Sequence, residues 1–189
     1  MSYRGKVILL GDAGVGKTSL LARYVDGIFR SEYKQTVGAN FLIKEINLNH
    51  IIDKVDIDTT LKKNVKDKGF ALYFWDLGGQ TDKLFVTEYY FIQAVGAMVI
   101  FNVDNIESFD NIDFWISKLK ELSGDIPFII IGNKIDLEDK RKISTEQIKA
   151  KAEKFGAKFF ETSAKLNESV DSAFEDLSIQ ILNKLKKQP

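Results

Sequence analysis

The sequence contains no cysteine. Disulfides, thiolate zinc sites, cysteine nucleophiles and thiol-borne prenyl or palmitoyl anchors are therefore excluded. Residue 2 is Ser2, not the glycine that myristoylation needs, so no lipid anchor of its own is expected. The single histidine, His50, has no second His and no Cys to ligate beside it, and it reads as a surface loop residue. Two prolines leave no proline-rich linker. Neither sign of charge is in excess: 27 Lys+Arg balance 27 Asp+Glu, and only four of the basic residues are Arg. That argues against a nucleic-acid partner, which calls for a basic face and Arg at base edges. Long hydrophobic runs are missing too. Residues 7–10 and 128–131 fall far short of the ~20 that span a bilayer. The four apolar residues near the N-terminus are fewer than the roughly 7–15 of a secretory signal. A cytoplasmic location is the expectation.

What is present is an ordinary globular composition. At 189 residues and 44% hydrophobic content the chain suits one domain with a sizeable core. Short apolar runs alternate with longer amphipathic ones. Residues 6–11, 70–77, 96–103, 128–132 and 158–161 read as strands, and 41–48 as a weaker one. Several are near-continuous apolar runs, the pattern of parallel strands covered on both faces. Helices are expected over 17–26 and over 106–123, where Phe109, Ile112, Ile116 and Leu119 recur at spacings of three and four. Ser144 and Gln147 have capping-box spacing, with Gly156 as the stop of that helix. Val170, Ala173, Phe174, Leu177, Ile181 and Leu185 make the stripe of a last helix. The alternation predicts an α/β fold, a mostly parallel sheet flanked by helices.

Residues 47–69 interrupt this order. They are polar and lysine-rich, and far exceed the roughly 2–5 residues of a hairpin turn. Two readings compete: a surface loop, or an arm in which Val55, Ile57 and Leu61 extend the hairpin toward a partner.

Gly11-Asp12-Ala13-Gly14-Val15-Gly16-Lys17-Thr18 fits G-x-x-x-x-G-K-[ST] between a strand and a helix. Glycines let successive backbone N–H groups turn inward toward phosphate oxygens, and the helix N-terminus adds about half a positive charge. Lys17 can bridge the outer phosphates and the Thr18 hydroxyl can bind Mg²⁺. Asp12, Ala13, Gly14, Val15, Gly16, Lys17, Thr18 and Ser19 are therefore expected around the phosphates. About 0.01 such matches arise by chance at this composition.

Asn133-Lys134-Ile135-Asp136 follows a later strand. A carboxylate there can accept from guanine N1–H and N2–H₂, donors that adenine lacks. Asp76-Leu77-Gly78-Gly79-Gln80 follows another strand. Asp76 can hold the Mg²⁺ shell, Gly79 lets a backbone N–H reach the terminal phosphate, and Gln80 can orient a water. The three motifs coincide by chance about 4 times in 100,000.

With these motifs in this order, the chain resembles a small GTPase of the Ras superfamily over residues 4–186. Thr36, in Tyr33-Lys34-Gln35-Thr36-Val37-Gly38, and Thr162-Ser163-Ala164-Lys165 supply the two remaining guanine-nucleotide boxes. Tyr89-Tyr90, Gly96-Ala97-Met98-Val99 and Glu107-Ser108-Phe109-Asp110-Asn111-Ile112 resemble Rab segments, whereas Trp75-Asp76-Leu77-Gly78-Gly79-Gln80 resembles the Arf form of the third box. The resemblance implies a P-loop G domain with a six-stranded sheet and about five helices, a single domain over 1–189 with an insertion at 47–69. It implies slow, Mg²⁺-dependent GTP hydrolysis in a molecular switch for signalling or vesicle-type trafficking. Catalysis would fall to Gln80, Lys17 and Thr36, and Thr18, Thr36 and Asp76 would ligate the metal. Phe29 and Tyr33 would flank the nucleotide, Lys134 would cover the purine beside Asn133 and Asp136, and the Ala164 N–H, between Ser163 and Lys165, would read guanine O6. A GTPase-activating protein, an exchange factor and effectors are the implied partners.

The pattern departs from the family in places. Ala13 stands where members carry small residues, often Gly or Ser. Three residues before Thr36, where heterotrimeric Gα subunits place an arginine finger, the chain has Tyr33, so a partner is expected to supply one. Lys184, Lys186 and Lys187 read as a solvated helix end rather than a lipid-binding patch. A non-hydrolysing guanine-nucleotide module and an ATP-dependent P-loop kinase are the competing readings. The intact Lys17, Thr18, Thr36, Asp76 and Gln80 oppose the first, and the Asn133–Asp136 motif opposes the second.

Overall fold

Along the central strands, alternate residues enter two different cores. In β1 (Tyr3–Leu10), Val7 and Leu9 face one core while Ile8 and Leu10 face the other. β4 (Ala94–Asn102) divides the same way, with Met98 and Ile100 on the first side and Ala97, Val99 and Phe101 on the second. β5 (Phe128–Asn133) sends Ile129 and Ile131 to the first and Ile130 to the second. A strand apolar on both faces needs helices on both, which is why these runs are continuous rather than alternating with polar residues. The computed structural model describes residues 3–30, 39–44, 52, 59–77 and 84–185.

Among the described residues the sheet has six strands in the order β2-β3-β1-β4-β5-β6, where β2 is Ala39–Lys44, β3 is Phe70–Leu77 and β6 is Lys158–Thr162. All neighbours are parallel except β2 and β3, which run antiparallel with Ala39 opposite Leu77 and Lys44 opposite Leu72. α1 (Lys17–Asp26) and α7 (Val170–Leu185) cover the first face through Leu20, Leu21, Tyr24, Phe174 and Leu177. The second is covered by α3 (Leu84–Phe91), α4 (Ile106–Asp110), α5 (Ile112–Ser123) and α6 (Thr145–Phe155). The capping box at Ser144 and Gln147 forms as expected, and Gly156 closes α6 in the left-handed conformation at φ 65°. Among the described residues no helix is long and apolar enough to cross a membrane.

Three expectations need correction. Seven α-helices lie among the described residues, not about five. The single helix expected over 106–123 is divided at Asn111 into α4 and α5, α4 being capped by Asn105, whose side chain accepts from Ser108 N. Between β2 and β3, Thr59–Lys68 forms α2, a helix that neither the loop reading nor the arm reading expected there. Gly69, at φ 76°, ends α2, and its N–H donates to the Val65 carbonyl at 2.9 Å. Val65 and Ile52 are buried, 3% and 0% exposed, and both join the first core. Val55 and Ile57 lie outside the described residues, and Leu61 falls within α2.

Candidate functional site

The parallel strands end together, and the loops that leave them converge. Register sets Leu9 beside Asp76, Asn102 beside Asn133, and Asn133 beside Thr162. Ligands of open α/β sheets bind at this carboxyl edge.

From β1 the chain turns through Gly11 (φ 137°), Gly14 (φ 77°) and Gly16 (φ 101°) into α1. A Cβ on Gly11 would lie 2.1 Å from the Ile100 carbonyl oxygen, and one on Gly16 would lie 2.3 Å from Asn133 Nδ2. Glycine is thus required at both positions by φ and by space. The loop curls around its own lysine: Lys17 Nζ donates to the carbonyls of Gly11 (2.7 Å) and Asp12 (2.8 Å). Lys17 is buried at 6% exposure. Burial lowers its pKa to about 8, against the pull of Asp76 and Asp12. Val15 is buried and Ala13 exposed, while Ser19 is half-buried in the first turn of α1.

Thr18 Oγ1 donates to Asp76 Oδ2 across the β1–β3 pairing. Asp76 is fully buried, and burial raises its carboxyl pKa, opposed by the Thr18 hydrogen bond and by Lys17. Its Oδ1 has no hydrogen-bond partner among the described residues. An orphaned buried carboxylate oxygen beside a hydroxyl is a hard-oxygen donor set, and it fits Mg²⁺.

On the other side of the loop, Asn133 ties two segments together. Its Nδ2 donates to the Val15 carbonyl at 2.9 Å, and its Oδ1 accepts from Thr162 Oγ1 at 3.2 Å. Lys134 has φ 67°, a left-handed conformation uncommon for a side-chain-bearing residue. Asp136 Oδ1 accepts from Ser163 Oγ at 2.6 Å, and Lys165 Nζ stands 4.0 Å from its Oδ2. Ser163 Oγ also accepts from the Leu166 N–H at 3.0 Å, which folds residues 163–166 into a tight turn with Ala164 buried. Phe29 is half-buried against the first core.

Arg23, on α1, is a member of this cluster that sequence reasoning missed. Its Nε donates to the Ala164 carbonyl at 2.7 Å and its Nη2 to that of Lys165 at 3.1 Å. These two partners lie more than a hundred residues away, and no local pattern marks them. Trp115, on α5, also donates a hydrogen bond, to Asp12. Tyr33, Thr36, Gly79 and Gln80 lie outside the described residues.

The chain matches the Ras family over residues 6–183. It is 39% identical over 181 residues to Ras-related protein Rab-10 of Caenorhabditis elegans, covering 95% of this chain and 82% of that one. It is 37% identical to Ras-related protein Rab-2B of Dictyostelium discoideum, over 97% of this chain and 83% of the relative. Human Ras-related protein Rab-8B is 36% identical, over 98% of this chain and 82% of its own length. With a family match across nearly the whole sequence and relatives covered over most of their length, the chain belongs to the Ras family and is a Rab-like small GTPase, a nucleotide-dependent switch in signalling or trafficking.

Proposed function

We propose that residues 12–19 cradle the phosphates of GTP and GDP, that Asn133, Lys134, Asp136, Ser163, Ala164 and Lys165 hold the guanine, and that Gln80 orients the attacking water. The observation that carries this reading is the Lys17 ammonium, buried on two loop carbonyls, with the Thr18 hydroxyl and the unsatisfied Asp76 carboxylate in the same site. A buried cation, a hydroxyl and an open carboxylate oxygen make a site that gains stability from phosphate and a divalent ion. Thr18, Thr36 and Asp76 would hold Mg²⁺, which when bound neutralises phosphoryl charge.

In hydrolysis, the water oxygen forms a bond to the γ-phosphorus as the bond to the β–γ bridging oxygen breaks, giving GDP and inorganic phosphate, with the water's proton leaving on phosphate. Lys17 and the loop N–H groups stabilise the charge, and Gln80 and Gly79 position the nucleophile and the γ-phosphoryl group. Asp136 selects guanine by accepting from N1–H and N2–H₂, while Ser163 holds its other lone pairs. Phe29 and Tyr33 flank the nucleotide.

The third box, Trp75 to Gln80, follows the Arf form within a chain that is otherwise Rab-like. The whole chain is one G domain, and residues 47–69 are an insertion in the β2–β3 connection. A GTPase-activating protein supplies the missing arginine, an exchange factor releases GDP, and effectors read the GTP state. The protein works in the cytoplasm and contacts membranes only peripherally.

Single-turnover hydrolysis of preloaded GTP tests the roles. The intrinsic rate is expected on the order of 10⁻⁴–10⁻³ s⁻¹. Gln80→Leu should lower it while retaining GTP binding, whereas Lys17→Ala should lose binding itself. A Gln80→Leu rate equal to the parent's would remove Gln80 from the mechanism.

A further inference from the structure

Asn111 and Trp115 stand four residues apart at the start of α5, so their side chains leave the helix on one face. Both reach the phosphate loop. Asn111 Nδ2 donates to Asp12 Oδ2 at 2.7 Å, and Trp115 Nε1 donates to Asp12 Oδ1 at 2.8 Å. Each oxygen of one carboxylate thus has its own donor from the same helix. The Asn111 amide is available because it does no capping: it is the N-cap residue of α5 but makes no side-chain cap bond. Trp115 is only 7% exposed, and a buried indole N–H needs a partner. The main chain of Asp12 meanwhile accepts from Lys17 Nζ at 2.8 Å. One residue therefore carries both the contact to α5 and a carbonyl of the ammonium cradle.

We infer that Asp12, Asn111 and Trp115 form a brace that holds the phosphate loop in its nucleotide-accepting shape. Asn111 and Trp115 are then positioning residues for nucleotide binding. The inference rests on the reading of residues 11–18 as the phosphate site. The Asp12 carboxylate has the same sign as the phosphates that the loop accepts. Two donors on α5 satisfy both of its oxygens and hold its charge against the helix. Without them, the loop loses its anchor, and the carboxylate is free to swing toward bound phosphate.

The test uses the full chain and two readouts. Trp75 and Trp115 are the only tryptophans, so a nitrogen-15 spectrum carries two indole signals, assigned with Trp75→Phe. Asp12→Ala should move the Trp115 signal. An unmoved signal would overturn the hydrogen bond, and with it the brace, without touching the nucleotide reading. The second readout is release of fluorescent GDP. Trp115→Phe and Asn111→Ala should each speed it about tenfold, with the double variant falling short of the product. Asn111→Asp should exceed Asn111→Ala, because it keeps the same shape but sets a second carboxylate against Asp12. This variant removes no packed ring, so it carries the test even where Trp115→Phe costs stability. Release should change more than the hydrolysis rate of the preloaded complex, and the melting temperature of Asn111→Asp should stay within a few degrees. Release within twofold of the parent in both Trp115→Phe and Asn111→Asp would overturn the inference. A parent chain that binds no GDP would overturn the phosphate reading and the inference together.

Discussion

An ammonium group at 6% exposure can stay charged only where oxygens surround it, and Lys17 has the carbonyls of Gly11 and Asp12 for that purpose. The residues that touch phosphate in this reading were legible because their spacing is local: a strand, three glycines, a lysine and a helix within a dozen positions. The base side was legible only in part. Asp136 stands in a recognisable tetrapeptide, but the ties that hold its neighbours come from afar. Asn133 reaches back to Val15, and Arg23 reaches forward to Ala164 and Lys165. Contacts over such separations leave no periodicity and no motif. Arg23→Ala would strip both carbonyls of their donor and loosen the turn expected to read guanine. GDP release should quicken by about 3–10-fold, equivalent to roughly 1 kcal/mol, as followed by displacement of fluorescent GDP. A rate unchanged from the parent would mean that residues 163–166 hold themselves.

At the scale of elements, the strands were the clearest, since a continuous apolar run bounded by turns has few other uses in a chain of this composition. α2 was not legible. Its lysines and asparagine mask the helical period, and its anchorage rests on Val65 and Ile52 entering the first core. Ile52→Ala should therefore cost about 2–5 kcal/mol in denaturant unfolding, the usual range for emptying a buried isoleucine site. A cost below about 0.5 kcal/mol, as for a surface residue, would leave Ile52 outside the core. The division of α4 from α5 was also hidden, because the apolar spacing runs through Asn111 without a break. Between α5 and α6, Asp113 accepts from Lys151 at 3.0 Å and also from Lys154. Burial works against its ionisation, but the hydrogen bonds from Lys154 and Lys151 outweigh it and hold the carboxyl below the usual aspartate range. A folded pKa below the unfolded value stabilises above the unfolded value, and that stability is lost as pH falls through the folded one. Asp113 is 41% exposed, so solvent screening keeps the effect small. Asp113→Asn should lower stability by less than about 1 kcal/mol at neutral pH, less in high salt, with the difference vanishing in acid below the aspartate range. Urea melts of parent and variant across pH would show it, and a difference that persists in acid would point to packing instead.

For the molecule as a whole, two cores clamp one sheet, and that arrangement leaves the carboxyl edge of the strands as the place where loops can specialise. Leu9 with Asp76, and Asn102 with Asn133 and Thr162, bring the residues proposed for metal and base to the ends of neighbouring strands on a rigid frame. The family and the fold were legible because several short motifs occur in one order on alternating elements, a coincidence that no single motif supplies. Selection of guanine is the claim on which the switch depends, since a phosphate loop alone accepts any nucleoside triphosphate. The most direct measurement is displacement of fluorescent GDP by GTP, ATP and XTP from the parent chain and from Asp136→Asn. GTP should displace it at least about a hundredfold better than ATP from the parent, because adenine offers the Asp136 carboxylate neither N1–H nor N2–H₂, and Asp136→Asn should shift the preference to XTP, whose 2-oxo group suits an amide donor. Equal displacement of GDP by ATP and GTP from the parent would contradict the account.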